Sequence, residues 1–370
     1  MKNNTKKIKN SLFIIVPTIG VFLTSCQGGS SNSPTTTYTA FKCPGSNNVA
    51  FPGISGIRGV LGSSNQDDVY ITGVYVQYGS NHAFLYKGPV LGGGSCNKFN
   101  FPSGINRTVT STSLYGPDNN GFDKVTVVGV YTTLESGPIA QQGLLYQGAA
   151  DGSTESGYST LYPASLLDNG DTIKNTLAHS TMNGIVVGNY DTNLATGKAF
   201  IYDIESKDYY PLDKPGGTAS ITAYGIWYNG GTSYTIAGGY SAVNSGGINT
   251  GFITDWDSTT HQVSHFTTLS YNNMPVSQIG THFEGITGDG KDGYNLAADW
   301  NYIGEKTTPA FAHIKRNSDG SFASAQWTAF DYYPGSSWTS ANTVYKNYIL
   351  GLFQSGNPTV DSGYVATIPQ

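Results

Sequence analysis

The pattern of apolar and polar positions repeats six times along the chain. In the clearest copy, Ile71-Thr72-Gly73-Val74-Tyr75 leads through a polar loop to His82-Ala83-Phe84-Leu85-Tyr86. A β-rich run holding a small residue closes on an aromatic; a small residue followed by larger apolar ones opens the next run. The closing aromatics are Tyr75, Tyr131, Tyr190, Tyr240, Trp300 and Phe353, at intervals of 50–60 residues. The answering runs carry their small residue at Ala83, Gly143, Ala199, Gly251, Ala310 and Gly363. A period of this length means stacked supersecondary units. Gly, Asn, Pro and Ser turns divide each unit into about four short strands.

Stacked sheets bury both faces, so the recurrent Gly or Ala is expected to admit an aromatic from the adjoining sheet. A third kind of run suits outer strands, where proline forgoes one ladder bond. These runs are Lys98-Phe99-Asn100-Phe101-Pro102, Ser159-Thr160-Leu161-Tyr162-Pro163, Asp208-Tyr209-Tyr210-Pro211, Ser264-His265-Phe266-Thr267 and Phe330-Asp331-Tyr332-Tyr333-Pro334. The sixth unit ends without one, whereas Tyr38-Thr39-Ala40-Phe41-Lys42-Cys43-Pro44-Gly45 has this character ahead of the first unit. The expected fold is all-β: a six-bladed β-propeller over residues 38–370, closed by the N-terminal strand as the outer strand of the last blade.

Composition agrees with an exported β domain. The chain has 48 Gly and 26 Tyr, and only 12% of its residues are charged; neither a cytosolic enzyme nor a disordered chain usually reads this way. The N-terminus gives an address. Lys2, Lys6, Lys7 and Lys9 precede an apolar stretch, Ser11–Phe22, that is interrupted by Pro17 and Gly20 and too short to span a bilayer. Leu23-Thr24-Ser25-Cys26 resembles the bacterial lipobox. That resemblance implies removal of residues 1–25 and lipidation of Cys26; the alternative is an ordinary secretory signal with a chance cysteine. Gln27 follows rather than Asp, which in a Gram-negative cell implies the outer membrane. The expected location is the cell envelope, with the protein facing the periplasm or the cell surface. It would be held by buried acyl chains rather than by a span.

Residues 26–37 read as a flexible polar tether. Losing the four lysines of residues 1–25 leaves 15 basic against 24 acidic residues, a balance of −9. That charge argues against a nucleic-acid partner. Cys43 and Cys96 remain; an oxidising compartment favours their pairing, with two buried free thiols as the alternative. In a closed ring they fall near the outer strands of neighbouring blades six and one, where a disulfide would staple the closure.

His82-Ala83-Phe84-Leu85-Tyr86, with the Gly-containing strand before it, resembles the HAF repeat of bacterial exported proteins. Lys198-Ala199-Phe200 and Pro309-Ala310-Phe311 keep only Ala-Phe, and the other copies keep only the small-then-apolar character. The resemblance implies an exported, propeller-like fold and brings no catalytic residues.

Innermost strands of a propeller line its channel. About 16 residues before most anchors, a variable position flanked by apolar and small residues reads Arg58, Tyr115, His179, Tyr224, Glu284 and Thr343. Six such side chains would converge on the axis, either as channel lining or as a mixed-charge ligand site. Catalysis finds little material. A glycosidase needs two carboxylates; Glu284 offers one, Asp299 on the next strand a second, with His179 beside them. Sialidase-like propellers use an arginine cluster and Asp boxes, whereas this chain has only Arg58, Arg107 and Arg316 and no intact Asp box. No histidine pair has zinc spacing, Asp289-Gly290-Lys291-Asp292-Gly293 reads as a turn short of calcium ligands, and no cofactor motif is present. The expected function is therefore a binding module for protein or glycan, with a carbohydrate hydrolase at the channel as the alternative. The loops after the anchors, rich in Ser, Gly, Asn, Thr and Tyr, have the composition of adaptable binding surfaces.

Overall fold

Among the described residues, twenty-five strands follow the repeat. The computed structural model describes residues 35–43, 50–63, 65, 67–135, 140–356 and 360–369, and Cys26 lies outside them. β1 is Thr37–Phe41. Blade one holds β2 (Ala50–Gly59), β3 (Asp68–Gln77), β4 (Ser80–Pro89) and β5 (Ser95–Lys98). Blade two holds β6 (Val109–Asn119), β7 (Lys124–Thr133), β8 (Gln142–Ala149) and β9 (Tyr158–Leu161). Blade three holds β10 (Ile173–Met182), β11 (Ile185–Thr192), β12 (Lys198–Asp203) and β13 (Tyr209–Leu212). Blade four holds β14 (Ser220–Gly230), β15 (Ser233–Ser241), β16 (Asn249–Asp257) and β17 (Val263–Leu269). Blade five holds β18 (Ile279–Gly288), β19 (Gly293–Tyr302), β20 (Thr308–Lys315) and β21 (Gln326–Ala329). Blade six has a broken inner strand, β22 (Trp338–Thr339) and β23 (Thr343–Tyr345), then β24 (Tyr348–Ser355) and β25 (Val360–Thr367).

Blades one to five are antiparallel meanders in chain order, and the inner strands touch in sequence from β2 round to β23 and back to β2. Six blades thus make a closed ring. β1 supplies the sixth blade's outer strand, pairing antiparallel with β25 from Thr37↔Thr367 to Phe41↔Gly363. Two further ties cross the seam between the last and first blades. Asn342 Nδ2 donates to the Ile54 carbonyl at 2.8 Å. Cys43, just past β1, is bonded to Cys96 in β5, with Cα atoms 5.6 Å apart.

Burial follows from the ring. The second strands are covered on both faces, so β7 and β15 are buried almost without interruption. The first strands alternate, one set of side chains toward the next blade and the other toward the axis. Outer strands such as β5 and β21 are largely accessible. Two outer strands begin earlier than the aromatic runs suggested. β5 is Ser95–Lys98 rather than residues 98–102, and β21 is Gln326–Ala329 rather than residues 330–334. The aromatics there belong to the links. Phe101 stacks on Tyr131 of the next blade at 3.8 Å, and Tyr333 on Phe353 at 3.8 Å. Tyr271 stacks likewise on Trp300 at 4.0 Å.

The recurrent small residue has two causes: at Gly251 it admits Phe283 of the next blade, as expected, a Cβ there lying 2.8 Å from that ring, whereas in the second strands it answers to the blade's own backbone. Inner strands β2, β6, β10, β14 and β18 each bulge, at Ser55, Tyr115, His179, Tyr224 and Glu284. A bulge bends its strand and disrupts the ladder locally. A Cβ on Gly73, Gly129, Gly188 or Gly238 would stand 2.0–2.1 Å from the carbonyl oxygen two residues before the bulge, and a Phe of the same blade closes over Gly73, Gly188 and Gly238. In the second strands the small residue therefore clears its own blade's bulge and aromatic. Close approach between blades also occurs on the inner strands, where a Cβ on Gly56 would lie 1.8 Å from the Tyr115 carbonyl.

Candidate functional site

Strand direction alternates within each blade, so the ring has two unlike ends. Hydrogen bonds fix which loops share one. Leu134 N donates to Thr108 O, Asn193 N to Thr172 O, Ala219 N to Ser241 O and Ile303 N to Gln278 O. The hairpins between second and third strands therefore lie beside the blade-to-blade links, at what we term the link end. The other hairpins meet at the opposite end: Ala150 N donates to Asp123 O, Ile204 N to Gly184 O and Arg316 N to Asp292 O. β1 starts there too, since Thr37 pairs with Thr367, next to the Ile368 N to Asn347 O bond.

The link end carries a regular apolar decoration. Tyr78, Leu134, Leu194, Val243, Ile303 and Val360 are 48–96% exposed, one from each blade, all in or beside the second-to-third hairpin. Ile105, Tyr162 and Val276 add exposed apolar groups on the links, and Tyr302 stands beside Ile303. Among the described residues, only Leu61, Leu91 and Phe122 of the exposed large apolar side chains lie at the opposite end.

Arg58, Tyr115, His179, Tyr224, Glu284 and Thr343 all line one cavity on the axis. Their levels differ. The bulge places Ser55, not Arg58, in register with Tyr115, His179, Tyr224 and Glu284. In blade six the chain between β22 and β23 replaces the bulge, with Asn342 next to Thr343. Arg58 sits nearer the opposite end and closes the axis. Its Nη2 donates to the Thr181 carbonyl at 3.2 Å, its Nε lies 3.7 Å from Asp118, and its guanidinium is 5.5 Å from the Trp227 ring centre. Both partners are buried, Arg58 at 8% exposure and Asp118 at 7%. Burial raises the Asp118 carboxyl above the usual carboxylate range, against the opposing pull of Arg58 and the Asn183 N–H. Burial likewise lowers Arg58, against Asp118 and Tyr345.

Above Arg58, the His179 ring lies between Tyr115 at 5.3 Å and Tyr224 at 4.7 Å and bonds Asn189 Oδ1 through Nε2 at 2.8 Å. Burial lowers His179 and raises Tyr115 and Tyr224. The cavity these groups enclose is about 20 Å³, room for about one water. Ligand pockets run to roughly 300–1,000 Å³.

Glu284 takes its partner from elsewhere. His282 Nε2 is 2.7 Å from Glu284 Oε1, and the two side chains are each 23% accessible. Asp299, the ladder partner of His282, is buried at 4% exposure and accepts the Ala341 N–H at 3.0 Å. One donor atom from each of the three lies within 4.8 Å of the others. Burial pushes the Asp299 carboxyl up to about 7, with Glu284 adding to the shift and His282 opposing it. Burial works against a charged His282 too, but Glu284 outweighs it and raises the imidazole to about 9. Glu284 and Asp299 thus meet as the sequence suggested, but His282, which residue spacing did not single out, stands between them in place of His179.

Two larger grooves lie between blades at the opposite end. One of about 490 Å³ is walled by Trp227, His265 and Arg316, the other, of about 440 Å³, by His313 and Lys315. Several of their charged groups are paired with one another. Arg316 makes a two-pronged pair with Asp255 at 2.5 and 2.9 Å, Asp255 also bonds His265 at 2.9 Å, and His313 bonds Asp289 at 3.0 Å. Asp289 also accepts the Lys291 and Gly293 N–H groups, so residues 289–293 form a carboxylate-held turn.

No family model matches the chain, and no curated protein does. Solved structures with related architecture include puromycin hydrolase, at 13% identity and a TM-score of 0.42, over 85% of this chain and 43% of that one. Another is the β-1,2-mannobiose phosphorylase of Listeria innocua, at 9% identity and a TM-score of 0.40, over 91% and 92% of the two chains. YCF48 in complex with a peptide matches at 11% identity and a TM-score of 0.36, over 90% and 96%. This chain spans less than half of puromycin hydrolase, and at such identities the likenesses concern architecture and carry nothing about activity.

Proposed function

We propose that this protein is a lipid-anchored lipoprotein of the cell envelope whose propeller binds a protein or glycan partner at its link end. The observation that carries the reading is the apolar residue each blade exposes there, from Tyr78 to Val360. Single exposed apolar residues are ordinary. One per blade, at one end, is not what scattered exposure gives. The intervening Ser, Gly, Asn and Thr supply adaptable hydrogen bonding beside the Tyr side chains. β1 begins at the opposite end of the ring, so these apolar side chains lie at the end away from the first described strand.

A channel hydrolase has less support, because Glu284 is paired with His282 and the axial cavity is about 20 Å³. The binding reading is tested by capture from envelope extracts and on a glycan array, using the full-length chain. A variant with Tyr78, Leu134, Leu194, Val243, Ile303 and Val360 changed to Ser is expected to lose the captured ligand. One changed at Leu61, Leu91 and Phe122 is expected to keep it. Equal capture by the two variants contradicts the proposal. The anchor is tested separately: Cys26→Ala should abolish incorporation of labelled palmitate, and unchanged labelling would remove this part of the reading.

A further inference from the structure

We infer that His282, Glu284 and Asp299 form a divalent-cation site on the propeller axis, open toward the link end. The repeat itself exposes the anomaly. At the ladder pair held by His282 and Asp299 in blade five, blades one to four place Gly53 and Val74, Ser113 and Val130, Leu177 and Asn189, Thr222 and Gly239. None of these carries a charge, and all satisfy the same backbone. At the adjoining bulge, Glu284 is the one carboxylate among Ser55, Tyr115, His179, Tyr224 and itself. Blade five therefore concentrates three ionisable groups where packing asks for none. Local departures of this kind are expected at functional or strained sites.

The donors suit a cation in kind and placement. An imidazole nitrogen with two carboxylates is a set that binds Zn²⁺ or Mn²⁺. Metal–ligand bonds of about 2.0–2.2 Å put the donors of a tetrahedral site about 3.3–3.6 Å apart. The three donor atoms lie within 4.8 Å of one another, so an ion needs them to close by about 1 Å. All three sit on strands, which hold a site more firmly than loops do. Neighbouring groups hold them in place. The Ala341 N–H fixes Asp299 Oδ1. Gly239 leaves room for His282, because a Cβ at position 239 would come within 2.8 Å of the His282 Cβ. Three protein ligands leave positions open on the ion, and the accessible edges of His282 and Glu284 place those positions where solvent or a ligand's oxygen atom reaches them. The inference goes beyond the binding reading, and it is measured with no partner present.

The test uses the full-length chain, stripped with chelator and dialysed against Zn²⁺ or Mn²⁺, with bound metal counted by elemental analysis. One equivalent per chain is expected. His282→Gln and Asp299→Asn should each weaken binding by about tenfold or more, and His313→Gln, at the Asp289 turn, should leave it unchanged. Wild-type protein that takes up no stoichiometric ion, or variants that bind as tightly as wild type, would overturn the inference. If a variant fails to fold, Co²⁺ titration of the wild-type chain decides: visible absorption saturating at one equivalent supports the site, and its absence overturns it.

Discussion

Changing Arg58 to Met is expected to destabilise the domain by about 3–5 kcal/mol, because it leaves Asp118 buried without its counter-charge. The pair lies on the axis with both members under 10% exposed, and each is driven toward its neutral form by burial. Desolvation of such a pair consumes most of its attraction. The double variant Arg58→Met with Asp118→Leu should therefore recover most of the loss. A pH dependence accompanies the single variant. The folded state holds the Asp118 proton more tightly than the unfolded chain does, so the carboxyl's stabilising contribution is complete below its unfolded pKa. It is lost as pH rises through the elevated folded value. The Arg58→Met deficit should thus be larger at pH 8 than at pH 5. Denaturant unfolding of the three proteins at both pH values checks this. If Arg58→Met is harmless, Arg58 is not the closure of the channel, and its place among the ligand-binding candidates reopens.

Removing the disulfide should have the next largest effect. Cys43 and Cys96 are 53 residues apart in sequence and join the last blade's outer strand to the first blade's. Loop-closure entropy for a cross-link of this span is about 4 kcal/mol, and measured losses are commonly about 2–4 kcal/mol. The double variant Cys43→Ala with Cys96→Ala should lose stability in that range. The loss should concentrate at the seam: amide exchange should rise in β1 and β25, whereas β15 and β16 on the far side of the ring should change little. A uniform rise through all blades would mean that the ring opens as one unit and that the disulfide is not a seam staple.

The ring was legible because its signals are local and repeated. Gly two residues before an aromatic, as at Gly73-Val74-Tyr75 and Gly129-Val130-Tyr131, marks the second strand by recurring at one phase of the repeat. The unpartnered run at Tyr38–Cys43 then leaves one place for the N-terminal strand. The channel register was less legible. Ile54-Ser55-Gly56 and Ile57-Arg58-Gly59 share one apolar-x-Gly form, three residues apart, and only the bulge opposite Gly73 selects the first. Aromatic runs misplaced β5 and β21 because Phe101 and Tyr333 pack beneath the next blade's anchor instead of pairing in a strand. His282 escaped notice because its relation to Glu284 and Asp299 depends on the bulge and on a neighbouring strand. The exposed Tyr78, Leu134 and Leu194 are unremarkable one at a time; ring closure alone gathers them at one end.

The measurement bearing most directly on the binding account is hydrogen exchange on the full-length protein with and without its captured ligand. Protection is predicted in the second-to-third hairpins around Tyr78, Leu194, Val243 and Ile303, together with the links beside them. Protection confined to the opposite-end hairpins, around Phe122, Gly231 and Lys291, would contradict it.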